Sequence, residues 1–135
     1  MKTIEVVAAI IKHNNKILAT RRGYGDFENM WEFPGGKMES GETQEEALIR
    51  EIKEELELDI DISNYLTTVE YDYPKFHLTM HCFICTICGG KLQLNAHNAA
   101  KWITLEELDK LPWVPADILV IEELSQWKSM GRFNM

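Results

Sequence analysis

The run Val6-Val7-Ala8-Ala9-Ile10-Ile11 constrains the fold most. It is apolar at every position, as in a strand buried on both sides. It is far shorter than the roughly 18–20 residues that span a bilayer. Lys2 and Glu5 flank it too closely for a secretory signal, so the expectation is a cytoplasmic protein with no membrane partner. His13-Asn14-Asn15-Lys16 reads as a turn, Ile17 to Arg22 as the returning strand, and Gly23 to Asn29 as a surface loop. Trp31-Glu32-Phe33-Pro34-Gly35-Gly36 reads as a short strand that breaks into a loop.

The clearest helix follows. Thr43 caps it, with Glu46 three residues on in the capping-box pattern. Ala47, Leu48, Ile52 and Leu56 form an apolar stripe at helical spacing. Asp59 to Ile62 leaves the helix. Tyr65 to Tyr73 and His77 to Ile87 read as strands around Pro74-Lys75. Gly89-Gly90 signals a hairpin, with Lys91 to Leu94 pairing back. Ala99 to Ile103 is a short strand, and Thr104 with Glu107 caps a short helix. Pro115 starts a last helix with Ile118, Ile121, Leu124 and Trp127 along one side, and the tail after Ser129 looks loosely held. With 135 residues the chain makes one domain, 1–135. Strands and helices alternate without a regular βαβ rhythm, which predicts a mixed α/β sandwich.

The formal net charge of −8 argues against a nucleic-acid partner. Cys82, Cys85 and Cys88 are spaced C-x-x-C-x-x-C, which resembles a metal site. Alternate side chains of a strand face opposite ways, so Cys82 and Cys85 cannot converge on one ion. They read as small half-buried sheet residues.

The acid is concentrated between Gly36 and Leu58. Glu51, Glu54 and Glu55 sit at i, i+3 and i+4, on one helix face. Packed carboxylates repel and raise one another's pKa, and a hard cation such as Mg²⁺ relieves that cost. On charge alone such a face belongs to solvent. The preceding Pro34-Gly35-Gly36 shifts the balance, because glycines let the backbone approach a ligand closely. Arg50 is suited to hold a neighbouring carboxylate from behind.

Gly36, then five residues, Glu42, then seven, then Arg50-Glu51-Ile52-Lys53-Glu54-Glu55-Leu56-Glu57-Leu58 resembles the Nudix box, G-x5-E-x7-R-E-U-x-E-E-x-G-U with U a bulky aliphatic residue. Only the last glycine is missing, replaced by Glu57, which puts the helix end in question. Ile4 to Ile11, Thr20-Arg21-Arg22, Trp31 to Lys37 and Pro115-Ala116-Asp117-Ile118 resemble the MutT-like branch, whose members hydrolyse 8-oxo-dGTP or CTP. The resemblance implies the Nudix fold, an α/β (α+β) arrangement with a mixed sheet sandwiched between helices. It implies a Mg²⁺-dependent pyrophosphohydrolase, with Mn²⁺ as a substitute, releasing nucleoside monophosphate and pyrophosphate and so cleansing the nucleotide pool.

By matching positions, Glu51, Glu54 and Glu55 become metal ligands, with the Gly35 carbonyl as a fourth. Glu51 is a ligand or a general base, and Glu54 and Arg50 share the catalytic set. Arg22, Phe33, Gly36, Lys37 and Asp117 would contact the substrate. MutT-type enzymes often carry a further Glu before the strand holding Trp102, where this chain reads Asn95-Ala96-His97-Asn98. His97 reads as a solvent-facing loop histidine, with a base or hydrogen-bond donor as the alternative. An ionised Asp117 only accepts hydrogen bonds and would prefer an amine-bearing base, whereas a protonated one would also suit an oxidised purine. Asp117 equally suits the first turn of a helix. Tyr71 and Tyr73 read as packing residues. The alternatives to the nucleotide triphosphatase are a Nudix hydrolase of ADP-ribose or a dinucleoside polyphosphate, and a non-catalytic nucleotide-binding module. The oligomer is a monomer or a homodimer.

Overall fold

The computed structural model describes residues 1–133. The elements run β1 (Lys2–His13), β2 (Lys16–Arg22), β3 (Trp31–Glu32), β4 (Gly35–Lys37), α1 (Gln44–Leu56), β5 (Leu58–Tyr73), β6 (Phe76–Gly90), β7 (His97–Ile103), a 3₁₀ segment at Leu105–Lys110, and α2 (Pro115–Ser129). The sheet is mixed, in the order β3-β2-β1-β6-β5, with β4 paired to β1 and β7 to β2. β1 and β6 run parallel, from Lys2 opposite Phe76 to Ile11 opposite Cys85, and the other pairings are antiparallel.

The apolar run predicted at Val6 to Ile11 lies at the centre of β1 and is covered from both sides. Its even positions, Ala8 and Ile10, join Met80, Cys82 and Ile84 under Ala116, Val120, Leu124 and Trp127 of α2. Its odd positions, Val7, Ala9 and Ile11, join Phe83 and Cys85 under Ala47, Leu48, Ile52 and Leu56 of α1. Cys82 and Cys85 thus lie in opposite layers, as the strand period demands. Among the described residues no helix is long and apolar enough to cross a membrane.

Several local expectations change. Gly89-Gly90 is not a hairpin: β6 continues through it, opposite Asp59 and Leu58. The Gly90 backbone has φ +84 and passes so close under the Glu57 carbonyl that a Cβ would collide with it. Lys91 to Leu94 forms no strand; Gln93 N–H and Asn95 N–H instead donate to the last carbonyls of α1, at 2.9 and 3.0 Å. The hairpin lies at Pro74-Lys75, and β5 begins directly after α1, with register shifts that bend it. Gly35–Lys37 is strand rather than loop. On α2, Ile118 faces out at 46% exposure, and the buried stripe is Ala116, Val120, Leu124 and Trp127. The segment after Ser129 is tied down as far as Phe133: Arg132 N–H donates to Trp127 O, and Phe133 is buried.

Helix α1 starts as predicted. Thr43 Oγ1 accepts the Glu46 N–H while the Glu46 carboxylate accepts the Thr43 N–H. It ends at Glu57, which takes the left-handed conformation (φ 58, ψ 30) usually given to glycine. Its N–H donates to Lys53 O, and its carboxylate accepts from Asn95 Nδ2 at 3.1 Å. The missing box glycine therefore leaves the helix terminus intact at the cost of a left-handed side-chain-bearing residue. Replacing Glu57 by glycine is expected to stabilise the protein by about 0.5–1 kcal/mol, because strain relief outweighs an exposed hydrogen bond. Urea unfolding of the two proteins measures this, and a net loss would show that the Asn95 contact dominates.

Candidate active site

The site forms where β3, β4 and the acidic face of α1 meet. Gly36 pairs with Val7 across β1–β4, and a Cβ there would collide with the Glu51 carboxylate. A Cβ at Gly35 would collide with the Val7 carbonyl. The two glycines thus let β4 lie flat on β1 and let Glu51 rest directly on backbone.

Arg50 organises the carboxylates. Its Nε and Nη2 donate to Glu42 at 2.6 and 2.9 Å, and its Nη1 to Glu51 at 2.9 Å and Glu54 at 3.2 Å. Nη2 also reaches the Lys37 carbonyl at 3.1 Å. The bond from Arg50 holds the Glu42 carboxyl down at about 2. Glu42 belongs to the box pattern, but its task of gripping Arg50 is visible only in three dimensions.

The ligand candidates differ in their surroundings. Glu54 is largely exposed. Burial pushes the Glu51 carboxyl up, against the pull of Arg50. Burial pushes Glu55 up to about 7, against the charge of His97. Oε1 of Glu55 is buried without a hydrogen-bond partner among the described residues. Hard oxygen donors, one orphaned and all crowded together, suit a hard divalent cation. Among the described residues no group of three or more His, Cys, Asp or Glu side chains is placed to hold a metal ion, and Glu51 and Glu54 bond Arg50 instead.

Beside this face lies a cavity of about 340 Å³ whose lining includes Arg22, Phe33, Gly35, Gly36, Lys37, Glu55 and Asp117, so the predicted substrate residues do come together. Phe33 stacks on Trp113 with ring centroids 4.7 Å apart. Arg22 donates to Glu32 Oε1 and to the Asp26 carbonyl, both at 2.9 Å. Phe27, Tyr73 and Phe76 form an aromatic wall, with Phe27 and Phe76 centroids 5.5 and 5.1 Å from Tyr73. The packing role assigned to Tyr73 is therefore incomplete, since its ring also lines the cavity. Its hydroxyl accepts the Ala116 N–H at 3.1 Å, locking the start of α2.

One side chain departs from expectation, and a second favours one of the two protonation states left open for it. His97 does not face solvent: its side chain is 2% exposed, and Nε2 lies 2.9 Å from Glu32 Oε2. Asp117 is buried and accepts the Phe33 N–H at 2.8 Å. Burial outweighs that bond and pushes its carboxyl up to about 8, which favours the protonated form at neutral pH.

Asp117 then binds a proton more tightly in the folded chain than in the unfolded one. Its contribution to stability is complete below pH 4 and is lost as pH rises towards 8. Asp117→Asn keeps an acceptor for Phe33 but does not titrate. The stability of the variant relative to the parent is expected to climb with pH over this window, by up to about 1.4 kcal/mol per pH unit. Shifts at Glu51 and Glu55 are common to both proteins and cancel. Unfolding free energies from pH 4.5 to 8.5 provide the check, and parallel curves would mean that Asp117 is ionised throughout.

The family model for the NUDIX domain matches residues 1–124. The chain is 39% identical over 123 residues to the CTP pyrophosphohydrolase of Escherichia coli, covering 90% of this chain and 91% of that one. It is 32% identical over 128 residues to the E. coli 8-oxo-dGTP diphosphatase, covering 93% and 99%. Among solved structures, the solution structure of the E. coli ORF135 protein superposes with a TM-score of 0.87 at 34% identity, covering 99% of this chain and 96% of that one. Box, fold and relatives coincide: the chain belongs to the Nudix family, as a MutT-like hydrolase.

Proposed function

We propose that this hydrolase is a Mg²⁺-dependent nucleoside triphosphate pyrophosphohydrolase, releasing nucleoside monophosphate and pyrophosphate. The observation that carries the reading is the junction of the two halves: the carboxylate face of α1 and the Asp117 cavity share Gly35, Gly36 and Glu55 at one edge. A substrate whose base enters the cavity brings its phosphates to the acidic face. The full-length likeness to the CTP and 8-oxo-dGTP enzymes supports the substrate class.

Glu51, Glu54 and Glu55, with the Gly35 carbonyl, would hold the cation. When bound, it supplies neutralisation of phosphate oxygens and a lowered pKa for the attacking water. Arg50 releases Glu51 and Glu54 to that task while keeping Glu42 as its anchor. Arg22 and Lys37 stand at the cavity rim with donors for phosphate oxygens. Glu51 remains able to serve as base instead of ligand.

A protonated Asp117 presents a donor beside an acceptor. That pair matches a base edge with an acceptor beside a donor, such as N3 and the exocyclic amine of cytosine, or O6 and N7–H of an 8-oxopurine. An ionised Asp117 would only accept hydrogen bonds, and burial disfavours that form.

The direct test is a panel of canonical, oxidised and methylated nucleoside triphosphates with Mg²⁺, scored for pyrophosphate release. ADP-ribose and dinucleoside polyphosphates serve as rivals, and cleavage of these alone would replace the proposal. Glu54→Gln is expected to lower kcat by about a thousandfold with the fold intact. Near-normal turnover at saturating Mg²⁺ would remove Glu54 from the site. Asp117→Asn keeps the donor–acceptor pair, so kcat/KM for the preferred base is expected to stay within about threefold at pH 7. Asp117→Leu is expected to cost about ten- to a hundredfold. Above pH 8 the parent loses its proton, and the Asn variant is expected to overtake it. Equal behaviour of all three proteins would place base selection elsewhere.

A further inference from the structure

Two buried side-chain atoms among the described residues have no hydrogen-bond partner: Glu55 Oε1 and His97 Nδ1. Both residues line one small cavity of about 50 Å³, together with Arg22 and Glu32. Buried polar groups in folded proteins are satisfied, by ordered water where no protein partner exists. A cavity of this size accepts a water, and the polar groups around it supply the several partners a buried water needs. The other imidazole nitrogen is already engaged. Nε2 faces a carboxylate oxygen, which only accepts, so Nε2 carries the hydrogen and donates to Glu32 Oε2. The remaining Glu32 oxygen takes Nη1–H of Arg22 at 2.9 Å. The strand holds Glu32 in place, because Thr20 Oγ1 donates to its carbonyl at 3.0 Å.

We propose that His97 is a positioning residue joining the two halves of the site: Nε2 fixes Glu32 and through it Arg22, while Nδ1 holds Glu55 through one buried water. The proposal rests on the reading of Glu55 as a cation ligand and Arg22 as a substrate contact. Asn95 ties this segment to the end of α1, at the Glu54 carbonyl and the Glu57 carboxylate. His97, the one ionisable side chain among Asn95 to Asn98, lines the small cavity beside Glu55. Hydrogen bonds to ligating carboxylates and to substrate-binding groups set their orientation, and their loss is felt in affinity rather than in fold.

Two substitutions separate the arms. His97→Leu removes both nitrogens. His97→Gln extends an amide to the place of Nε2, keeping a donor for Glu32 and leaving the Nδ1 side without its ring nitrogen. Mn²⁺ binding to the substrate-free protein, followed by electron paramagnetic resonance, reads the Glu55 arm without turnover. KM for the best nucleoside triphosphate reads the Arg22 arm. His97→Leu is expected to weaken Mn²⁺ binding about ten- to a hundredfold and to raise KM about fivefold. His97→Gln is expected to restore KM to within about twofold while Mn²⁺ binding stays weak; a space-filling role for the ring would not produce that split. If His97→Leu fails to fold by thermal melting, His97→Gln decides alone, and parental Mn²⁺ affinity in it overturns the proposal. Parental values in both variants overturn it, as does parallel loss of both readouts in His97→Gln. A parent protein that binds no Mn²⁺ overturns the proposal together with the reading of α1 as a cation site, whereas the other outcomes leave that reading standing.

Discussion

Everything in this molecule hangs on one strand that is apolar on both faces. β1 cannot leave either side open to water, so α2 closes one side and α1 the other. The same strand supplies the edge against which β4 lies. By pinning α1 on one side and Gly35–Lys37 on the other, β1 brings the acidic helix face to glycine backbone. The site is a by-product of how the core is sealed.

Charge is the second organising force, and it opposes the first. A helix face with Glu51, Glu54 and Glu55 repels itself, and burial of Glu55 adds to the cost. Arg50 offsets this by spreading one guanidinium over Glu42, Glu51 and Glu54. Glu42 takes the stronger, two-pronged grip, which leaves the looser contacts to the two residues proposed to serve a cation. The arrangement is held together and still free to exchange partners.

Much of this was legible from residue order alone. The α1 stripe and its cap are local patterns, and Ala47, Leu48, Ile52 and Leu56 are all fully buried. The box located the carboxylate face because helical spacing converts sequence offsets into proximity. What failed depended on distant neighbours. Gly89-Gly90 carries a turn signal, yet Gly90 is needed for close passage under Glu57 rather than for a reversal. His97 looked like a loop residue because nothing nearby in sequence announces Glu32, which lies 65 positions away. Asp117 lies in the first turn of α2 and lines the cavity, but the burial that pushes its carboxyl up is something no residue order displays. The aromatic wall of Phe27, Tyr73 and Phe76 left only the weak trace of aromatic residues close to a turn.

The separation of Cys82 and Cys85 into opposite layers also governs the redox chemistry of the chain. Burial raises both thiols, Cys85 to about 12, so neither forms the thiolate that peroxide attacks. Cys88 is exposed, but desolvation of its thiol, and then the carboxylates of Asp61 and Asp59 beside it, disfavour its charged form. None of the three sulfurs is primed for sulfenic acid formation.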